Sequence, residues 1–109
     1  MRRGEVSITF VGLARMRALN RRYHRRDGVT DVLAFDLRLP AQRSRRCLVG
    51  DVVVAPAVAA RQAAHYGQTY TEELLTYVAH GVLHLLGFRD HTPADRARME
   101  RWQRTFVSR

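Results

Sequence analysis

Several residue types are scarce or absent in this sequence. Lysine does not occur in its 109 residues, and Cys47 is the only cysteine. A lone cysteine excludes an intrachain disulfide and a zinc site built on paired cysteines, and it suits a reducing compartment. The longest apolar run, residues 52–60, is far shorter than the ~20 residues that a membrane span needs. Residues 1–4 are too short a lead-in for a signal peptide. We therefore expect a cytoplasmic protein.

Acidic residues are also few. There are 10 of them against 19 basic residues, all arginine, for a formal net charge of +9. This excess raises the local concentration of anionic partners such as RNA, DNA or an acidic membrane surface. A GC-rich coding bias accounts for the choice of arginine over lysine, but it does not account for the net charge.

Hydrophobic periodicity predicts the elements of secondary structure. Alternating apolar residues from Val6 to Phe10 indicate a half-buried strand, and helical spacing from Leu13 to Tyr23 indicates a helix that ends before Asp27. Runs rich in β-branched residues predict two more strands, and cap signals predict three helices after them. The strands are expected at 32–37 and 48–55, and the helices at 56–67, 69–86 and from 92 onward.

The predicted fold is α+β, in a single domain over residues 1–109. A small mixed β-sheet of three to four strands is covered by helices, and a metal site lies on a central helix. Three clear strands make a thin sheet, because ~4 to 6 strands are usual. Five apolar residues of the central helix are expected to bury against the sheet: Leu74, Leu75, Val78, Val82 and Leu86.

Two histidines on that helix are candidate metal ligands. His80 and His84 are four residues apart, so both imidazoles project from one helical face. An isolated pair of this kind is more often an ordinary polar surface. Here Gly87 lets the chain turn back and the pair Asp90-His91 follows, which favours a three-ligand site with one open position, as in catalytic zinc centres. Gly81 stands where a zinc protease carries its glutamate, which disfavours peptide hydrolysis.

The segment from His80 to His91 resembles the signature of the YbeY family, metal-dependent single-strand endoribonucleases of ribosomal RNA maturation. Further similar segments lie earlier in the chain, at Leu19-Asn20, Tyr23, Asp27, residues 30–33, Phe35 and residues 50–52. The resemblance implies one Zn²⁺ on His80, His84 and His91, with these histidines as the catalytic centre. It also implies a cleft for single-stranded RNA and roles in small-subunit rRNA processing and ribosome quality control.

The sequence departs from the family pattern in three places. Six residues separate His84 from His91 where the family usually has five, so either His91 or Asp90 is the third ligand. His24 occupies a position where the family often has an arginine, and Arg25 or Arg26 could replace it from the next positions. The strand and helix with which family members normally begin are lacking from residues 1–109.

The arginines also indicate where RNA binds. Ten of the 19 lie between Arg15 and Arg46 with only three aspartates opposing them, so this segment is the expected RNA track. The RNA-binding candidates are Arg21, Arg22, Arg25 and Arg26. Asp51 lies in an otherwise apolar strand and requires a partner, either a structural one or the metal site.

Two other functions remain open. One is a noncatalytic, zinc-stabilised module that docks on ribosomal RNA, because no general base is obvious in the sequence. The other, less supported, is a metalloprotease. Single-stranded RNA and the small ribosomal subunit are the expected partners, with no membrane, and the oligomeric state is open. Three imidazoles would also suit nickel, copper or iron.

Overall fold

The computed structural model describes residues 3–43, 47–88 and 91–107. Along these residues the elements follow in the predicted order, with one short helix added between the second and third strands. The elements are β1 (Arg3–Phe10), α1 (Leu13–His24), β2 (Val32–Asp36), α2 (Pro40–Arg43), β3 (Cys47–Val54), α3 (Pro56–Tyr66), α4 (Tyr70–Leu85) and α5 (Pro93–Val107).

The strands form one mixed sheet, which confirms the predicted α+β class. Strand β3 lies in the centre, parallel to β1 and antiparallel to β2. Val52 pairs with Ile8 on one side and with Ala34 on the other. Strand β1 forms an edge of the sheet, and the side chains of Ile8 and Phe10 remain 38% and 56% exposed there.

Helix α4 crosses the sheet at very short range, and two glycines make this possible. A Cβ atom at Gly81 would lie 2.5 Å from Cγ1 of Val52 and 3.2 Å from Cγ2 of Val32. A Cβ atom at Gly50 would lie 2.7 Å from Cδ1 of Leu85. Real side chains do not approach this closely, so at each glycine the backbone of one element packs directly against a side chain of the other.

The buried face of α4 differs from the expected one. Leu75 and Leu86 are 48% and 43% exposed, so the prediction that they bury against the sheet is wrong. The most buried hydrophobic side chains of the helix are instead Tyr77, Leu83 and Leu85. The difference arises because α4 also packs against α3 and α5, so its contacts spread around more of its circumference than one sheet-facing stripe.

The start of α4 is fixed by the predicted capping box. The Thr69 hydroxyl accepts a hydrogen bond from the Glu72 backbone N–H at 3.1 Å, and the Glu72 carboxylate accepts one from the Thr69 N–H at 3.1 Å. Hydrogen bonds from the backbone N–H and the hydroxyl of Thr69 hold the pKa of the Glu72 carboxyl below its usual value. Both capping groups therefore satisfy backbone donors that a helix end would otherwise leave unpaired.

The other face of the sheet is covered by α1, which connects β1 to β2. Leu33 and Val53 pair across β2 and β3 and point away from α4. Both are buried, at 5% and 3% exposure, and Met16 of α1 belongs to the same cluster with no exposed surface.

Among the described residues, no helix is long and apolar enough to cross a membrane.

Gly81→Ala should destabilise the protein. The added methyl group would collide with Val52, and overpacking of this kind costs about 1–3 kcal/mol. The loss should outweigh the gain of up to ~1 kcal/mol in helix propensity. Urea unfolding followed by circular dichroism measures the change in the free energy of unfolding.

A double variant provides the control. Val52→Ala removes the methyl group that the new side chain would strike, so Gly81→Ala should cost less in that background than in the wild type. Gly12→Ala, where a Cβ meets nothing within 4 Å, should cost less than Gly81→Ala. Equal costs at Gly81 in both backgrounds would show that the close approach does not determine stability.

Candidate functional site

His80 and His84 bring their ring nitrogens together on one face of α4. Their Nε2 atoms lie 3.0 Å apart, and the ring centroids are 4.6 Å apart at an interplanar angle of 70°. Both side chains are partly buried. The pair follows directly from the helical spacing of the sequence, and Gly81 between the two histidines anchors this part of the helix to the sheet.

The chain turns back after His84 as the glycine predicts. Gly87 has a φ of 99°, its N–H donates to the carbonyl of His84 at 3.0 Å, and the Phe88 N–H donates to the carbonyl of Leu83 at 3.0 Å. These are the two hydrogen bonds of a Schellman motif, in which glycine is favoured at the left-handed position. The turn returns the chain toward the histidine pair.

His91 reaches the histidine pair's cavity but not the pair itself. It is exposed and lines the same cavity as His80 and His84. Among residues 3–43, 47–88 and 91–107, no three His, Cys, Asp or Glu side chains are close enough to hold one metal ion. The alternative third ligand, Asp90, lies outside the described residues. The choice between His91 and Asp90 therefore stays a prediction.

The cavity beside the histidines is an open cleft of about 740 Å³. It lies where the C-terminal end of α1, the loop leading into β2, and α4 meet. Its wall combines imidazoles, one guanidinium and two carboxylates with backbone and small side chains. The described residues that line it are Asn20, His24, Arg26, Asp27, Val29, Thr30, Asp31, Val32, Leu33, Ala34, His80, Gly81, His84 and His91.

Asn20 holds the loop that forms one wall of the cleft. Its side chain is 6% exposed, and its Nδ2 donates to the carbonyl of Gly28 at 3.2 Å. The backbone carbonyl of Asn20 accepts hydrogen bonds from the backbone N–H groups of Arg25 and Arg26. Arg25 itself has a φ of 53°, an unusual backbone conformation for a residue other than glycine. Asn20 therefore ties the end of α1 to the loop that carries Arg26.

The four predicted RNA-binding arginines do not share one location. Arg26 lines the cleft, whereas the other three do not. Arg21 approaches Asp27 at 3.4 Å with both side chains largely exposed, and Arg22 stacks over Tyr23 with its Cζ 5.4 Å from the ring centroid. Exposed ion pairs of this kind contribute little to stability.

His24, which stands where an arginine was expected, also lines the cleft. Its ring packs edge-on against Phe35, with centroids 6.3 Å apart.

Asp51 does not line the cleft. Its Oδ1 accepts a hydrogen bond from the Thr9 hydroxyl at 2.9 Å, which joins β3 to β1. Asp51 thus has the structural partner that its strand position required.

One residue that the sequence analysis did not identify contacts the candidate ligands. The side-chain amide nitrogen of Gln103, on α5, lies 2.6 Å from Nδ1 of His80. A usable signal was present, because Gln103 follows the buried Met99 by one helical turn and so shares its inward face. Asn20 follows the buried Met16 by the same spacing.

The donor set fits a transition metal in part. Zinc is bound by neutral imidazole nitrogens at ~2.0–2.1 Å, so two ligands of one ion lie a little over 3 Å apart. The 3.0 Å separation of the two Nε2 atoms is close to this spacing, and a direct hydrogen bond between the rings also accounts for it. His80 and His84 are thus placed to share one ion, and within residues 3–43, 47–88 and 91–107 no third donor lies close enough to complete the site.

Comparison with known proteins identifies relatives along the whole chain. The family model described as "Endoribonuclease YbeY" matches residues 1–109. A protein named Endoribonuclease YbeY from Anaeromyxobacter sp. (strain Fw109-5) is 46% identical over 97 residues, which cover 89% of this chain and 50% of the relative. One of the same name from Desulforamulus reducens is 38% identical over 109 residues, covering 96% of this chain and 71% of the relative.

The structural comparison agrees with the sequence comparison. The solution structure of a Thermotoga maritima protein matches with a TM-score of 0.66 and 28% identity, covering 94% of this chain and 65% of that protein. A third relative named Endoribonuclease YbeY, from Elusimicrobium minutum, is 36% identical, covering 91% of this chain and 69% of its own length. The chain thus spans about half to 70% of the length of these relatives.

Tyr77, one turn before His80, should make the fold sensitive to alkali. Burial raises the pKa of its phenol well above the usual 10.0, and a hydrogen bond with Glu73 and the negative charge of Asp31 raise it further. Stability from the neutral phenol is therefore complete below pH 10 and is lost as the pH rises toward the folded-state pKa. The urea midpoint of the wild type should fall between pH 9 and pH 11.

Tyr77→Phe tests this assignment, because it removes the titrating group. The variant should start with lower stability at pH 9, since the Glu73 carboxylate loses a donor, and its midpoint should fall less steeply toward pH 11. Tyr70→Phe, at an exposed tyrosine of the same helix, controls for the loss of one tyrosine. If the urea midpoint of Tyr77→Phe falls as steeply with pH as that of the wild type, groups other than Tyr77 cause the loss of stability in alkali.

Proposed function

Because the chain belongs to the Endoribonuclease YbeY family, we propose that it is a zinc-dependent endoribonuclease specific for single-stranded RNA. In the cell it would act in small-subunit rRNA maturation and ribosome quality control, in the cytoplasm. The observation that carries the proposal is the facing pair of Nε2 atoms, 3.0 Å apart, at the wall of a cleft that also contains His91 and Arg26.

The proposed ligands are His80, His84 and His91. The first two already present their Nε2 atoms to one point, and the Schellman turn at Gly87 delivers His91 to the same cleft. Zn²⁺ held there would supply Lewis acidity toward a phosphoryl oxygen and would lower the pKa of water. The third ligand would be His91, or Asp90 in its place.

The remaining residues of the cleft act on the RNA. Arg26 lies on the wall and can neutralise a backbone phosphate near the histidines. Asn20 keeps the loop that carries Arg26 attached to α1 through its hydrogen bonds. His24, Asp27 and Asp31 are the other acid–base groups on the described part of the wall, and so are candidates to accept a proton from the attacking group.

The size and open form of the cleft suit an unpaired strand. The cleft has a volume of about 740 Å³ and is open to solvent, so it can take a few nucleotides whose bases are unstacked. In a duplex, by contrast, the scissile phosphates are held in a rigid and regular helix. The net charge of +9 would raise the association rate with any RNA, so the cleft, and not the charge, would set the preference for single strands.

The direct test is cleavage of a labelled single-stranded RNA by the purified chain. The zinc-loaded protein should cut it, a chelator should stop cleavage, and added Zn²⁺ should restore it. His84→Ala should lower kcat/KM by more than the ~10- to 100-fold that is typical when a metal ligand loses only a supporting hydrogen bond. His65→Ala, at an exposed histidine of α3, is the matched control and should cleave normally.

Each other outcome supports a different function. A zinc-loaded protein that binds RNA without cutting it would be the noncatalytic docking module. Equal cleavage of duplex and single-stranded RNA would contradict the proposed specificity, and cleavage of a peptide would indicate a protease. Small-subunit particles that carry unprocessed rRNA are the substrate that tests the maturation role.

Arg26→Gln should weaken binding of single-stranded RNA and lower its dependence on salt. Each lost phosphate contact on a single strand reduces the slope of log K against log salt by ~0.7. Arg22→Gln, near the end of α1 and outside the cleft, should change the slope less. The measurement is fluorescence anisotropy of a labelled oligonucleotide across a salt series, with equal slopes in the two variants contradicting a special position for Arg26.

A further inference from the structure

Gln103 connects the last helix to the candidate metal centre. Its amide nitrogen is 2.6 Å from Nδ1 of His80, on the side of the ring opposite to the Nε2 that faces His84. The contact joins residues 23 positions apart in the chain and is partly buried, so it is a tertiary contact between α4 and α5. Each nitrogen of the His80 ring therefore has a named side-chain neighbour.

The proton on the His80 ring determines whether that ring can bind a metal. A neutral imidazole carries one N–H, and the other nitrogen has the lone pair that a metal needs. With the amide NH₂ of Gln103 toward Nδ1, the amide donates, the ring proton sits on Nε2, and Nε2 donates to His84. In this arrangement Nε2 of His80 has no lone pair to offer a metal.

Rotation of the Gln103 amide by 180° reverses this arrangement. The amide oxygen then accepts a hydrogen bond from Nδ1–H, and the single ring proton has moved from Nε2 to Nδ1 with no change in the charge of the ring. Nε2 now carries the lone pair. The two amide orientations occupy the same volume, so the change needs no movement of α5.

We propose that Gln103 is a positioning residue that selects the tautomer of His80, donating to Nδ1 in the metal-free protein and accepting from Nδ1–H when a metal is bound. The proposal rests on the metal centre of the proposed function. An amide suits both states because it offers a donor and an acceptor at nearly the same place. A carboxylate could only accept, and a hydrocarbon could do neither.

The placement of α5 supports this role. Met99, one turn before Gln103, is 2% exposed and fixes that face of the helix inward. Trp102 lies 6.0 Å from the ring of Phe88, and Arg98 lies over the same ring at 5.1 Å, so α5 is held against the turn that follows His84. The Gln103 side chain is thereby presented to His80 from a helix with several independent anchors.

The test compares Gln103→Leu with Gln103→Glu in the full chain. Leucine has a similar size and no hydrogen-bonding group, so zinc affinity, measured by competition with a chromophoric chelator, should fall by about 10- to 100-fold. Glutamate accepts from Nδ1–H and should restore the affinity to within a few-fold of the wild type. Gln62→Leu, at a half-buried glutamine of α3 outside the cleft, should bind zinc like the wild type.

A second readout follows the tautomer itself. In ¹⁵N NMR spectra of the metal-free protein, the His80 ring should carry its proton on Nε2 in the wild type and on Nδ1 in Gln103→Glu. A merely structural contribution of Gln103 would change the urea midpoint equally in the leucine and glutamate variants without separating their zinc affinities. Far-ultraviolet circular dichroism verifies that each variant is folded.

The outcomes separate this inference from the proposed function. Wild-type zinc affinity in Gln103→Leu, or equal losses in both variants, would overturn the role of Gln103. If the zinc affinities follow the expected order but RNA is not cut, the positioning role stands and the endoribonuclease proposal fails. A wild-type protein that binds no metal would overturn both.

Discussion

The contact between Gly81 and Val52 is the constraint on which the candidate site depends. A helix with any other residue at this position would have to stand farther from β3, since a Cβ there would lie 2.5 Å from the Val52 side chain. His80 and His84 flank Gly81 on the same helix. The contact of Gly81 with Val52 therefore sets how far the two histidines lie from the loop that follows α1. The position of the histidine-bearing wall of the cleft is therefore determined by packing in the core of the protein and not at its surface.

The same glycine shows what a sequence motif leaves out. In the sequence, Gly81 stands where a zinc protease carries a glutamate, and this difference argues only against peptide hydrolysis. In the fold this glycine has a packing role, because it lets α4, the helix that carries the proposed ligands, lie close against the sheet. The residue beside a proposed first ligand can thus serve packing, and in the proposed mechanism the proton acceptor would then come from another element.

Local signals were enough to predict most elements. The Thr69 capping box, the turn at Gly87 and the strand alternation from Val6 to Phe10 each depend on neighbours in the chain, and each element appears close to its expected bounds. The exposed Leu75 could not be predicted in this way, because it depends on where α3 and α5 pack around α4. The contact of Gln103 with His80 is equally remote in sequence, although its spacing from Met99 indicated the face on which to look.

The turn after His84 has two consequences that are usually considered separately. It carries the chain back so that His91 enters the cleft, and through Phe88 it also anchors α5 by contacts with Trp102 and Arg98. The anchored helix brings Gln103 to the far nitrogen of His80. A single turn therefore bears on both the proposed third ligand and the proposed tautomer of His80. A change of length in this turn would alter the two together. Under the proposed function, the extra residue between His84 and His91 would therefore bear on the metal affinity of His80 as well as on the identity of the third ligand.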